Sequence, residues 1–316
     1  MNKVAVIAVI SILLAFATFA SAQQVCSVKE PGSLLVFPLV DNIFHSTIVD
    51  MANLGPQDVT LECYAITHGI TNETEFQKID FHIVLTERQP FYWDTSNSFR
   101  GDGFFIPSLA SRKGVIYCWA IDNPIDRLEI GWDFLKGDAL LYNLVDQRAF
   151  AYNAYPHQGI NVVGDRILNL NGLEYCAATS RIYFEAFADG FAGMLSTLAL
   201  ANLDNNFPAS IQPEVDLGFQ CWNEDEQFGS RNSHMQQFIQ LEMGPDLLLN
   251  QAGVGTDKFQ CAVDATQTGA GTRMPIIGVI TGTISGLGYE WGGLVWEDLS
   301  AFYAAPTRVV LWPPAN

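Results

Sequence analysis

One acidic motif in this sequence has the residue types needed to bind a metal ion. Glu224, Asp225 and Glu226 are consecutive in the segment WNEDEQF, and Asp204 begins a second oxygen-rich turn, DNN. Three adjacent carboxylates repel one another unless water or a cation screens them, and Ca²⁺ prefers oxygen ligands from such loops. Because no EF-hand spacing is present, a solvated loop is the favoured interpretation, and a calcium site that uses these four residues is the alternative. The sequence indicates no other cofactor.

A second motif, GYEWGGLVWEDL, could support glycoside hydrolysis. Its two carboxylates, Glu290 and Glu297, flank two tryptophans that could act as sugar platforms. Along one continuous strand, seven residues separate the carboxylates by about 23 Å, whereas this chemistry requires roughly 5–10 Å. Only a bend at Gly292–Gly293 would bring them closer, so tryptophans of a core or an interface are the favoured interpretation.

The common catalytic signatures are absent from the chain. There is no H-E-x-x-H, no phosphate-binding G-x-x-x-x-G-K-[ST] and no G-x-S-x-G. The five histidines lack metal-ligand spacing, and His45, Ser46 and Asp50 are close in sequence without any further sign of a triad. The sequence therefore identifies no catalytic residue, and an enzyme is the less favoured class.

The N-terminal segment 1–22 predicts a secretory signal peptide. Lys3 precedes an apolar run, and the small residues ASA at 20–22 form a cleavage site. No later segment is apolar and long enough to predict a transmembrane helix. A net charge of −18 repels nucleic acid and anionic lipid, and 49% hydrophobic residues exclude a disordered chain. We therefore predict a secreted, periplasmic or cell-surface protein that binds no nucleic acid.

Two distant segments share a pattern that suggests an internal duplication. MANLGPQDVTLECYAI (51–66) and LANLDNNFPASIQPEVDLGFQCW (200–222) both place Ala-Asn-Leu before a turn and an alternating apolar strand. In each strand the residues at every second position, including the cysteine, are apolar, which predicts a half-buried antiparallel strand. The inward residues are Val59, Leu61, Cys63 and Ala65 in one copy and Val215, Leu217, Phe219 and Cys221 in the other. Chance similarity between strands is the alternative.

The cysteines extend this pattern. RKGVIYCWAID (112–122) resembles TDKFQCAVDA (256–265), so each copy has a second cysteine strand. An even number of cysteines in a secreted chain favours disulfides. The equivalent pairs are Cys63 with Cys118 and Cys221 with Cys261, each within its own domain, and Cys26 and Cys176 are left to pair with each other.

Alternating segments separated by Gly and Pro continue through the chain, for example KIDFHIVL (78–85) and SRIYFEAFA (180–188). The only helical candidates are short, around residues 144–155 and 244–251. This pattern predicts an all-β protein with two tandem antiparallel β-sandwich domains of immunoglobulin-like type. We expect a signal peptide at 1–22, one sandwich at 23–165 and another at 166–316, with 159–172 as the connection.

Three segments carry a resemblance to a known group of proteins. GSLLVFPLV, then ANLGPQDVTLECYAI, and later VDLGFQCWNEDE resemble secreted bacterial proteins that share an early G-S-L-V-x-P strand and a W/F-N-E-D-E loop. The resemblance implies a secreted β-rich fold. It implies no activity, because that group has none assigned.

The sequence favours a binding, cell-surface or structural role, with an extracellular protein, a glycan or a second copy of the chain as partner. The first alternative is an extracellular carboxylate-dependent hydrolase of glycosidase type. The second is a subunit of a filament or surface layer that assembles through exposed sheet edges.

Overall fold

A computed structural model describes residues 26–69, 72–101, 104–143, 145, 148–187, 194–205, 213–223, 225–226, 228–243, 258–284, 289–294, 296–297 and 308–310. Throughout these ranges the secondary structure is all β, as predicted. A search of the same residues finds no helix with the length and apolar character of a membrane span.

The strands of the first sandwich lie between Leu34 and His157. They are β1 (Leu34–Asp41), β2 (Ser46–Asn53), β3 (Val59–Gly69), β4 (Asn72–Leu85), β5 (Pro90–Asp94), β6 (Phe99–Gly101), β7 (Phe104–Ile106), β8 (Arg112–Ile121), β9 (Leu135–Asn143), β10 (Arg148–Asn153) and β11 (Tyr155–His157). A five-stranded sheet, β11-β1-β8-β3-β4, faces a four-stranded sheet, β10-β9-β2-β5, and β6 pairs with β7.

The remaining strands form a second pair of sheets and one small ribbon. They are β12 (Ile167–Asn169), β13 (Arg181–Phe187), β14 (Met194–Asn202), β15 (Val215–Asn223), β16 (Phe228–Met235), β17 (Phe238–Glu242), β18 (Lys258–Gln267), β19 (Ile276–Ile284), β20 (Tyr289–Leu294), β21 (Trp296–Glu297) and β22 (Arg308–Val310). The sheets are β16-β15-β18-β13-β21 and β17-β14-β19-β20, and the ribbon is β12-β22.

The two sandwiches repeat one strand order. The five-stranded orders β4-β3-β8-β1-β11 and β16-β15-β18-β13-β21 correspond strand by strand, as do the four-stranded orders β5-β2-β9-β10 and β17-β14-β19-β20. The segments that share Ala-Asn-Leu and the cysteine occupy equivalent places, β2–β3 and β14–β15. An internal duplication produces this correspondence, whereas chance similarity between single strands would not.

Each sandwich buries its own core between its two sheets. All four residues predicted to face inward in the first copy, from Val59 to Ala65, belong to the first core. The four predicted in the second copy, from Val215 to Cys221, belong to the second core. The period-two alternation therefore identified the inner face of both strands correctly.

The outer face of β3 differs from the prediction of a half-buried strand. Tyr64 and Ile66 point away from the first core but are also buried, in a third core together with Trp119 of β8. The Tyr64 and Trp119 rings stack with centroids 5.3 Å apart. Residues of the second half cover this face, among them Leu170 and Tyr175. The five-stranded sheet of the first sandwich is therefore buried on both sides.

The helix predicted around residues 144–155 is wrong. Arg148–Asn153 is strand β10, in which Phe150 and Tyr152 are buried and the alanines between them are exposed. Pairing with β9 satisfies the backbone of this segment, and tertiary context outweighs the weak helix preference of alanine. The second helical candidate, 244–251, lies outside the described residues.

The three disulfides join the pairs that the repeat predicts. Cys63 lies directly opposite Cys118 on neighbouring strands, and Cys221 lies opposite Cys261 in the same way. Both bonds therefore connect neighbours within one sheet, whereas an immunoglobulin disulfide connects the two sheets. The immunoglobulin-like label stays a prediction.

The third disulfide and the small ribbon connect the two repeats. Cys26 precedes β1 and Cys176 precedes β13, the first strand of each sandwich, and these equivalent cysteines are bonded to each other. Strand β12, which follows the first sandwich, pairs antiparallel with β22, which follows the second. The predicted connection, 159–172, therefore also pairs with the C-terminal region.

Candidate functional site

A cleft of about 860 Å³ lies between the two sandwiches. One wall consists of residues at one end of the first sandwich, drawn from several loops and strand ends. They are Asp41, Phe44, His45, His68, Phe76, Lys113, Asn143 and Arg148. This volume is within the usual range of small-ligand sites.

The opposite wall is formed largely by the outer face of the second four-stranded sheet. Phe238, Gln240 and Glu242 of β17 lie beside Ala201, Ala199 and Thr197 of β14. The intervening residues Ile239 and Leu241 pack against the second core, so alternation directs Phe238, Gln240 and Glu242 towards the cleft. Glu214, His234, Met235, Gln236 and Thr283 complete this wall.

Lys113 connects the two walls. Its ammonium nitrogen donates a hydrogen bond to Gln240 Oε1 at 2.9 Å and lies 3.6 Å from Asp41 Oδ2. The same nitrogen lies 4.4 Å from the centre of the Phe44 ring, a cation–π contact. Phe44 is 66% exposed, so most of this aromatic face is open to a ligand.

Asp41 is a buried carboxylate at the base of the first wall. Burial by itself raises its pKa, but the hydrogen bond with His45 and the charge of Lys113 outweigh burial, and the pKa lies below its ordinary value. Backbone N–H groups of Ile43 and Phe44 also donate to its Oδ1. Asp41 is therefore ionised at neutral pH, unlike a general acid, whose pKa must be raised.

The cleft combines aromatic faces with hydrogen-bonding groups of both kinds. The His68 ring contacts the rings of Phe76 and Phe238, with centroids 5.7 and 6.1 Å apart. Arg148 Nε is buried and has no hydrogen-bond partner among the described residues. Since a guanidinium donates in a fixed planar geometry, Arg148 could bind a carboxylate or a pair of hydroxyl oxygens.

The predicted calcium ligands do not meet in one place. Asp204 follows the end of β14, at the same end of the sandwich as the start of β15. Asp225 and Glu226 follow the end of β15, which runs for nine residues. At about 3.3 Å per residue, roughly 26 Å separates the two ends, so Asp204 cannot share a cation with the other two. Glu224 lies outside the described residues.

The loop at 225–226 has a local explanation as a hairpin turn. Asp225 N donates to Asn223 Oδ1 at 3.0 Å, and Glu226 N donates to the Asn223 carbonyl at 3.1 Å. Glu226 has a φ of 60°, the left-handed conformation that such turns use. Both acidic side chains are exposed, as expected for a solvated loop.

The predicted carboxylate pair is divided between two sheets. Glu290 is in β20, opposite Thr283 of β19, whereas Glu297 is in β21, opposite Ile182 of β13. Gly292 and Gly293 lie within β20, and the chain changes sheet after Leu294. Four residues along β20 span about 13 Å and packed sheets lie about 10 Å apart, so the positions are too distant for a retaining glycosidase pair.

The histidine near Ser46 is paired elsewhere. His45 Nδ1 lies 3.3 Å from Asp41 Oδ2. Asp50 is opposite Asp138 on β9, and burial together with the Asp138 charge raises the pKa of Asp50. The local sequence His45-Ser46 with Asp50 therefore does not form a triad.

A second acidic cluster, absent from the sequence analysis, lies beside the connection between the sandwiches. Carboxylate oxygens of Glu129, Asp165 and Glu174 all lie within 4.8 Å of one another. Burial raises the pKa of both Glu129 and Glu174. The fully buried hydroxyl of Tyr175 is close enough for the charges of Glu129 and Glu174 to add to burial in raising its pKa. Spacings of 36 and 9 residues gave no local signal of this cluster.

A buried histidine lies against the disulfide that joins the two repeats. His157 Nδ1 is 3.0 Å from Cys26 Sγ and 3.8 Å from Cys176 Sγ. These sulfurs are bonded to each other, so they are not the thiolates that a metal site would need. Burial lowers the pKa of His157 to about 4.

We expect His157 to make the fold sensitive to acid. In the unfolded chain this imidazole protonates near pH 6.5, whereas in the folded protein its pKa is about 4. The unfolded state therefore binds more protons between these values, and stability falls as the pH is lowered through them, by about 3 kcal/mol for this group. Denaturant unfolding of the native protein and of His157→Gln, measured from pH 7 to pH 4, checks this. Two profiles of equal slope would contradict it.

No family model matches this chain, and no curated protein matches it significantly. Among solved structures, a crystal structure of Thermotoga maritima 1070 is 9% identical with a TM-score of 0.26, over 38% of this chain and 96% of that chain. A cryo-electron microscopy structure of Broad Bean Stain Virus is 8% identical with a TM-score of 0.18, over 94% of this chain and 96% of that one. These similarities are too weak to carry an argument about fold or function.

Proposed function

We propose that this chain is a secreted glycan-binding protein whose ligand occupies the cleft between the sandwiches. The observation that carries the proposal is the composition of that cleft, in which three phenylalanines lie among carboxylates, amides, histidines, Lys113 and Arg148. Sugars offer apolar C–H faces and many hydroxyl groups, so their sites combine aromatic rings with both donors and acceptors. The signal peptide and the three disulfides support a location outside the cytoplasm.

The charges of the cleft favour binding over hydrolysis. Asp41, the buried carboxylate of the first wall, is held ionised by His45 and Lys113. Its charge is already neutralised by protein groups, so it can fix the orientation of Lys113 and accept a ligand hydroxyl without transferring a proton. Arg148 is the group best suited to bind an acidic sugar, because its Nε has no protein partner in the described residues.

We expect Phe44→Ala to weaken glycan binding about tenfold, because it removes an exposed aromatic face worth about 1.4 kcal/mol. The measurement is calorimetric titration with the best ligand from a panel of neutral and uronic-acid-containing oligosaccharides. Tyr92→Ala is the matched control, since Tyr92 is 72% exposed on β5 and does not line the cleft.

Three results would contradict the proposal. The first is that no oligosaccharide in the panel binds the folded protein. The second is that Tyr92→Ala weakens binding as much as Phe44→Ala does. The third is that the ligand is cleaved during incubation, which would favour the hydrolase instead. Concentration-dependent assembly with no glycan binding would favour the filament or surface-layer subunit.

A further inference from the structure

We propose that Glu129, Asp165 and Glu174 form a calcium site that fastens the connection between the sandwiches to the first sandwich. Glu129 comes from the loop between β8 and β9, and the other two come from the connection. Their converging carboxylate oxygens are the hard ligands that Ca²⁺ prefers. This site is separate from the cleft, none of whose lining residues it shares.

The cluster has no protein counter-charge. Glu129 and Glu174 are 2% and 6% exposed, yet among the described residues no lysine, arginine or histidine forms an ion pair with any of the three acids. Burying carboxylates without a compensating charge is costly, and three that converge also repel one another. A divalent cation removes both costs.

Two buried polar atoms at the cluster also lack a partner. Glu174 Oε1 and the Tyr175 hydroxyl make no hydrogen bond in the described part of the chain. Tyr175 is fully buried beside these acids, so its oxygen is available to the cation or to a water molecule that the cation binds. Unpartnered buried polar atoms are rare and require a ligand to explain them.

The remaining contacts hold the carboxylates in position. Glu129 accepts backbone hydrogen bonds from Asp165 N at 2.7 Å and Arg166 N at 2.8 Å. Glu174 Oε2 accepts a hydrogen bond from Asn169 Nδ2 at 2.5 Å, which leaves Oε1 for the cation. Asp165 is exposed and supplies the side from which the ion enters.

Titration of the chelator-treated protein with Ca²⁺ tests the proposal. We expect one bound ion per chain by calorimetry, a calcium-dependent rise in melting temperature, and a weaker effect of Mg²⁺, which dehydrates reluctantly. Glu174→Gln should weaken binding at least tenfold. Asp165→Asn, at an exposed position that tolerates substitution, should also weaken it. Tb³⁺ bound in place of Ca²⁺ should show luminescence sensitised by Tyr175, and Tyr175→Phe should reduce that signal.

Asp225→Asn is the matched control, because it removes an acid of the exposed hairpin loop. We expect it to leave calcium affinity unchanged. A melting temperature that is the same in chelator and in millimolar Ca²⁺ would overturn the proposal. So would a calcium effect that survives Glu174→Gln and Asp165→Asn but is lost in Asp225→Asn, because that result would place the ion at the hairpin.

Discussion

Replacing Trp119 by alanine is expected to lower the free energy of unfolding by about 3–5 kcal/mol. Trp119 is fully buried in the third core, where its ring stacks on Tyr64 with an interplanar angle of 4°. Truncation removes the largest side chain of that core and leaves a cavity that a β-sheet cannot close, because the strands on both sides are fixed by hydrogen bonds.

The same substitution should affect the contact between the sandwiches. Residues of the second half, including Ala201, Leu203 and Ile277, form part of the third core. Next to this core, the Tyr117 hydroxyl donates to the Asn202 carbonyl at 2.7 Å and Tyr155 donates to the Gly278 carbonyl at 3.0 Å. We therefore expect Trp119→Ala to weaken ligand binding in the cleft as well as the fold.

Trp222→Ala is the control for this prediction. Trp222 is 36% exposed at the end of β15, next to Phe228 and far from the third core. Its loss should change the unfolding free energy by less than about 1 kcal/mol. Chemical denaturation of both variants decides the comparison, and equal losses would show that the third core is not the main contributor we infer.

Removing the Cys26–Cys176 disulfide is expected to destabilise the protein by up to about 5 kcal/mol. The bond closes a loop of 150 residues, more than the 55 and 40 residues closed by the other two. In the chain-entropy model a longer loop restricts the unfolded chain more, which gives about 5 kcal/mol here and about 4 kcal/mol for the other bonds. The double variant Cys26→Ala/Cys176→Ala tests it by thermal and denaturant unfolding.

The control is Cys221→Ala/Cys261→Ala, which removes a disulfide inside the second sandwich. Both double variants should be destabilised, but only the loss of Cys26–Cys176 should free the N-terminal segment from the connection. Limited proteolysis near residue 26 measures that difference. An unchanged melting temperature and unchanged proteolysis in the first variant would contradict the prediction.

The sequence by itself determined the features that depend on neighbouring residues. Period-two alternation from Val59 to Ala65 marked the inner face of β3, since adjacent side chains of a strand point to opposite sides. The repeated spacing of Ala-Asn-Leu and cysteine predicted equivalent strands and the same cysteine pairs that the structure contains. The segment 148–153 was the exception, because alanine-rich alternation is compatible with either a helix or a strand.

Only the tertiary structure decided which exposed-looking faces are buried and which acids meet. Tyr64 and Ile66 could cover a surface or a core, and the packing of the second half on the first settles the question. Phe44 and Phe238 line one cleft although almost two hundred residues separate them. Glu129 joins Asp165 and Glu174 only after the connection folds back, whereas Asp204 and Asp225 are held apart by the length of β15. The physical reason is that a local pattern records which way a side chain points, while the element it meets depends on how whole sheets pack together.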